Sequence, residues 1–129
     1  MSSDPRIRQF KDIHWEGDSR HILAGFPEEI REDLGFALFE MQQGKTPSLQ
    51  ARRMHSIGPG VYELKDADER AWYRVIYLSA IDNVIYVLHC FEKRSRKTGR
   101  HDLRVAEERL SKVLRRIKEQ KRDAKRIEK

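Results

Sequence analysis

Trp72-Tyr73-Arg74-Val75-Ile76-Tyr77-Leu78, then Asp82-Asn83, then Val84-Ile85-Tyr86-Val87-Leu88-His89-Cys90-Phe91: two runs of β-branched and aromatic residues stand on either side of a tight reversal. Such runs read as paired strands, the second of them buried. Just upstream, Val61-Tyr62-Glu63-Leu64-Lys65 alternates, and Asp66-Ala67-Asp68-Glu69 reads as the turn into the next strand. Gly58-Pro59-Gly60 is a firm turn before it. Three strands on short connections make an antiparallel meander.

On the N-terminal side, residues 7–15 (Ile7, Phe10, Ile13, Trp15) read weakly as an opening strand. Asp18 or Ser19 then caps a helical stretch. Pro27 suits a first helical turn, with Glu28 and Glu29 at the favourable end of the helix dipole. Ile30, Leu34, Ala37, Leu38 and Met41 recur at three- and four-residue spacing, which predicts an amphipathic helix ending near Gly44. Residues 17–44 therefore read as two helices in tandem, and 48–57 carry no clear pattern. On the C-terminal side, 93–101 is a basic loop. A last helix starts near Asp102, with Leu103, Ala106, Leu110, Val113, Leu114 and Ile117 as its core face. The expected fold is α+β, with helices against one face of a small, mostly antiparallel sheet: an N-terminal helical pair and a C-terminal helix.

With 129 residues the whole chain, 1–129, reads as one domain, and 118–129 as a charged helix end that projects or frays. No apolar run approaches the roughly 20 residues needed to span a bilayer. The first residues lack the apolar stretch of a signal peptide. The lone Cys90 excludes an internal disulfide and suits a reducing compartment, so the expected location is cytoplasmic. Net charge is +6, but it is unevenly placed: residues 92–129 hold 16 Lys/Arg against 7 Asp/Glu, leaving 1–91 at −3. That asymmetry points to a polyanionic partner, although a solvated mixed-charge helix shows the same composition.

The order strand, paired helices, meander, basic loop and final helix resembles the RelE/ParE toxin superfamily. More specifically it is similar to the phage-related HigB branch of type II toxin–antitoxin systems. The residues that carry the resemblance are Phe26-Pro27, Gln43-Gly44-Lys45-Thr46-Pro47, Gly60-Val61-Tyr62-Glu63-Leu64-Lys65 and Tyr73-Arg74-Val75-Ile76-Tyr77. Val87-Leu88-His89-Cys90-Phe91-Glu92-Lys93-Arg94-Ser95-Arg96-Lys97-Thr98 completes the series, which covers roughly 13–115. The family commonly places proline where Gly99 stands, and two lysines where Lys93-Arg94 stand. A tyrosine that some RelE relatives carry after the last strand has no counterpart near Arg100 and His101.

The resemblance implies an mRNA endoribonuclease working on the ribosome without a metal or other cofactor, blocking translation until a cognate antitoxin, expected to be a helix-turn-helix protein, silences it. Cleavage by attack of a ribose 2′-hydroxyl on the adjacent phosphate needs a base, cations for the phosphorane and an acid for the leaving oxygen. By resemblance, Lys65 is candidate base or phosphate holder, Arg74 and Arg94 stabilise the transition state, and Lys93 is the alternative proton-transfer residue. Arg96, Lys97 and Arg100 would bind RNA backbone. Any of these cations also fits a solvated surface or a salt bridge. His89 and Cys90, inside an apolar strand, read first as core residues. The remaining histidines show no metal-ligand spacing. Two other functions share the expected fold: a ParE-like inhibitor of DNA gyrase, and a phage-derived domain that binds nucleic acid without cutting it.

Overall fold

The computed structural model describes residues 10–95, 97 and 99–128. The chain runs β1 (Asp12–Trp15), α1 (Ser19–Ala24), α2 (Glu28–Gln42), β2 (Gln50–Arg53), β3 (Val61–Ala67), β4 (Trp72–Ile81), β5 (Val84–Lys93) and α3 (Arg100–Glu128). The predicted meander is the centre of a five-stranded sheet in the order β1-β5-β4-β3-β2. β1 lies parallel to β5, and every other neighbouring pair is antiparallel. Two four-residue strands, β1 and β2, form the edges.

The helices do not share one face, and that expectation is corrected. Alternate residues of a strand point to opposite sides, and this sheet has an apolar set on each. Leu64, Tyr73, Val75, Tyr77, Val87 and Cys90 pack with Ile30, Leu34, Ala37, Leu38 and Met41 of α2. Val61, Ile76, Leu78, Leu88 and Phe91 pack with Ala106, Leu110, Val113 and Ile117 of α3. The strands are long and nearly continuous in apolar residues because both faces are covered.

Several local expectations shift. Pro27 is the N-cap of α2 rather than its first residue. Asp18 precedes α1 without capping it through its side chain. Its carboxylate accepts instead from Arg109 of α3 at 2.9 Å. The helix expected from Asp102 begins two residues earlier, at Arg100, and β5 continues into the expected loop as far as Lys93. Leu114, counted with the core face, is 44% exposed. Beyond Ile117 α3 stays helical to Glu128, and 118–127 are exposed. Residues 50–53, patternless in sequence, form the edge strand β2. Its Gln50-Ala51-Arg52-Arg53 has no apolar alternation, and it exists by pairing with β3 from Gln50↔Lys65 to Arg53↔Tyr62.

Candidate active cleft

On its α3 side the sheet gives way, toward β2, the end of β3 and the start of β4, to an ionic layer. The register sets Lys65 opposite Arg74, Arg74 opposite Phe91 and Trp72 opposite Lys93. Glu63, Lys65, Trp72, Arg74 and Lys93 thereby share the face that carries Val61, Ile76 and Phe91. Arg74 is 1% exposed and Glu63 2%. The guanidinium Nη1 donates to Glu63 Oε1 at 2.7 Å. Arg52 of β2 approaches the same oxygen at 3.8 Å from a largely exposed position. One buried carboxylate thus ties two arginines, a buried one and one at the surface.

Above this layer opens a cleft of about 520 Å³, lined by Arg52, Arg53, Met54, His55, Ser56, Lys65, Lys97 and Leu103. Among the described residues its polar wall holds four cations and an imidazole, with no carboxylate in the lining. Lys65 is held in place by an aromatic: its ammonium lies 5.1 Å from the centre of the Trp72 ring. A cation over an indole face keeps its charge and its hydrogen-bond donors available outward. The arrangement can bind a phosphodiester, neutralise charge that develops on it, and bring an imidazole within the same cleft.

Where β5 meets α3, His89 Nε2 and Asp102 Oδ1 are 2.9 Å apart, and Lys93 Nζ lies 3.5 Å from Asp102 Oδ2. Burial holds the imidazole below its usual range, against the opposing pull of the Asp102 hydrogen bond. The neutral ring then carries its proton on Nε2, facing the carboxylate. His89 also stacks on Phe91 with ring centres 5.0 Å apart. Gly99 lies in the same corner, where a Cβ would push aside the flexible end of Lys93. Cys90 is buried and its thiol is pushed up to about 12 by desolvation, which removes it as a nucleophile at neutral pH.

Of the residues singled out from the sequence, Lys65 and Lys97 meet in the cleft. Arg74 lies beneath it, paired with Glu63, and Lys93 is half-buried against Asp102. Arg94, just after β5, and Arg100, at the start of α3, are exposed. Arg96 lies outside the described residues. The sequence reading missed Arg52, Arg53 and His55. The Arg-Arg doublet was visible, but nothing local revealed a strand that would carry it beside Lys65. Among the described residues, no three His, Cys, Asp or Glu side chains converge as a metal site.

Compared with protein families, residues 21–111 match the model described as Phage derived protein Gp49-like. Among solved structures, the chain is similar to the free state of a double arginine-to-alanine mutant of the E. coli toxin RelE. That match has a TM-score of 0.50 and 18% identity, and it covers 84% of this chain and 98% of that one. The likeness is one of fold: a small sheet, short N-terminal helices and a C-terminal helix. No curated protein matches the sequence.

Proposed function

The chain belongs to the phage-derived Gp49-like family and has the RelE-like fold; from that premise we propose that it is the toxin of a type II toxin–antitoxin pair, a HigB-like endoribonuclease that cuts messenger RNA on the ribosome. The observation that carries this reading is the cleft in which Arg52, Arg53, His55, Lys65 and Lys97 converge, with no carboxylate among its described lining residues. In the reaction the ribose 2′-oxygen bonds to phosphorus and the bond from phosphorus to the 5′-oxygen breaks. The 2′-hydroxyl gives up its proton to a base, and the leaving oxygen takes one from an acid.

Lys65 and the two arginines of β2 stabilise the phosphorane, arginine through its planar fork. His55 is the group in the cleft chemically suited to move a proton. Arg74 is a positioning residue in this reading: it fixes Glu63, which holds Arg52 at the cleft wall. Lys93, engaged by Asp102, anchors the start of the basic loop, while Arg94, Arg96, Lys97 and Arg100 lead RNA backbone toward the cleft. A cognate antitoxin with a helix-turn-helix belongs to the same reading, as does a place in the cytoplasm where messages are translated. Among the described residues no helix is long and apolar enough to cross a membrane.

The test is inducible expression of the wild type, Lys65→Ala and His55→Ala, with message 5′ ends mapped during translation. The reading expects growth arrest and cuts within translated messages for the wild type, with both lost in variants that keep wild-type circular dichroism. Arrest with intact messages would move the assignment to gyrase inhibition. Normal growth with intact messages would leave a binding domain.

A further inference from the structure

α3 is longer than the fold requires. Its 29 residues span roughly 43 Å at 1.5 Å per residue, yet its last buried side chain is Ile117. Past that point the helix keeps going with none of the described residues packed beneath it, and its charges are sorted. At 3.6 residues per turn, Arg115, Lys118, Lys121, Arg122, Lys125 and Arg126 fall within an arc of about 140° that begins at one edge of the core face and runs out to solvent. Glu119 and Asp123 fall together on one flank.

All six cations are exposed. None of them takes part in an ion pair among the described residues, whereas Arg109 and Arg116, nearer the sheet, pair with Asp18 and Glu16. The sorting is costly to the isolated helix. Lys118 and Arg122, Lys121 and Lys125, and Arg122 and Arg126 are like charges four residues apart, a spacing at which like charges repel. A merely solvated helix would gain from mixing its signs.

We propose that this ridge of α3 is a second RNA-binding surface, one that grips the phosphate backbone of base-paired RNA without reading bases. A polyanion relieves the repulsion and releases its own counterions. The described part of α3 carries no Phe, Tyr or Trp, the large rings on which single-strand binders most often stack unpaired bases. Nor does the ridge have the apolar centre that a protein interface builds on. Leu103 of the cleft lies on the first turn of α3, so the ridge begins roughly 18 Å farther along the axis and ends roughly 35 Å away. The purpose of the ridge rests on the nuclease reading: the cleft takes the scissile strand while the ridge holds folded RNA beside it. The binding itself is measured without cleavage.

The experiment titrates the full chain into a fluorescent 20-base-pair RNA duplex, 2′-O-methylated so that it cannot be cut, between 50 and 300 mM salt. The ridge variant replaces Lys118, Lys121, Arg122 and Lys125 with Gln. A control of equal charge replaces Arg20, Arg31, Lys45 and Arg70, all exposed, with Gln. The ridge variant is expected to lose at least about tenfold in affinity at 100 mM salt. Its slope of log affinity against log salt should be shallower by about 3, at somewhat under one per lost contact. The control should stay within about twofold, and helix content should match in all three proteins. Equal losses in both variants, or none in either, overturn the proposal. So does a ridge variant that keeps the duplex but releases vesicles of anionic lipid. A wild type that never cuts message yet shows the ridge-dependent slope sinks the nuclease reading and leaves the binding surface in place.

Discussion

The two faces of the sheet solve different problems with the same strands. On the α2 side, Leu64, Tyr73 and Val75 meet Ile30, Leu34 and Ala37 in a mainly apolar contact. On the α3 side their immediate neighbours Glu63, Lys65, Trp72 and Arg74 make an ion pair and a cation–aromatic contact. The α3 helix is further tied down by polar links, His89 to Asp102, Arg109 to Leu88 O and Asp18, and Arg116 to Glu16. An apolar contact is bought with area alone and tolerates sliding, whereas charged ties fix directions. The second face is therefore the one suited to holding a phosphate, and the first to holding the sheet.

The sharpest break in that contrast is Arg74→Ala, which strips the nearest cation from a carboxylate that is 2% exposed. Leaving such a charge buried is expected to cost about 4 kcal/mol in urea unfolding. Joint replacement, Arg74→Met with Glu63→Leu, should return stability to within about 2 kcal/mol of wild type while message cleavage falls. A double variant that cuts as well as wild type would reduce the ionic layer to a structural device. On the apolar side Leu34, 0% exposed, should cost about 3 kcal/mol as Leu34→Ala, with cleavage per folded molecule unchanged.

Smaller effects separate the faces by pH. Burial, with a hydrogen bond to Asp33 of α2, pushes the Asp66 carboxyl up to about 6. A carboxyl raised in the folded state favours folding below its unfolded value near 3.8, and that contribution is lost as pH rises through about 6. Asp66→Asn should thus stabilise the protein above pH 7, by about 1 kcal/mol after discounting for solvent screening. Near pH 3.5 it should change nothing. His89 has the opposite sign. Its folded value is depressed by burial, so its contribution is present above the unfolded value of 6.5 and is lost as pH falls through the folded one. His89→Gln should flatten the acid side of the stability curve, the smallest of these effects. Were both variants to shift the curve the same way, the assignment of opposite pH behaviour to the two faces would be wrong.

The meander was legible because β-branched and aromatic residues at strand spacing carry their own signal, and α2 because its apolar positions repeat with the helical period. What the sequence withheld depends on distant neighbours. Leu114 keeps the spacing of a core residue, but α3 has turned it to the edge of the contact, and no local pattern records that rotation. β2 has no signal of its own and becomes a strand only beside β3. The same holds for the site. Lys65 and Lys97 stand out as cations near a predicted strand and in a basic loop, yet the Glu63 partner of Arg74 is visible only once Glu63↔Ile76 and Lys65↔Arg74 set the register. His55 and the arginines of β2 come to the cleft by the same pairing.

That pairing leaves β2 as an outer strand, with one side unpaired among the described residues. An unpaired strand invites another sheet to add to it, and charged side chains on a short strand discourage that. Arg52 and Arg53, both exposed, therefore serve also as guards against self-association. Replacing them with valine would create an adhesive border, so self-association would appear before any loss of chemistry. Glutamine at the same positions removes the charge while keeping the border polar, and a sedimentation experiment on the two pairs of variants would tell the two roles apart.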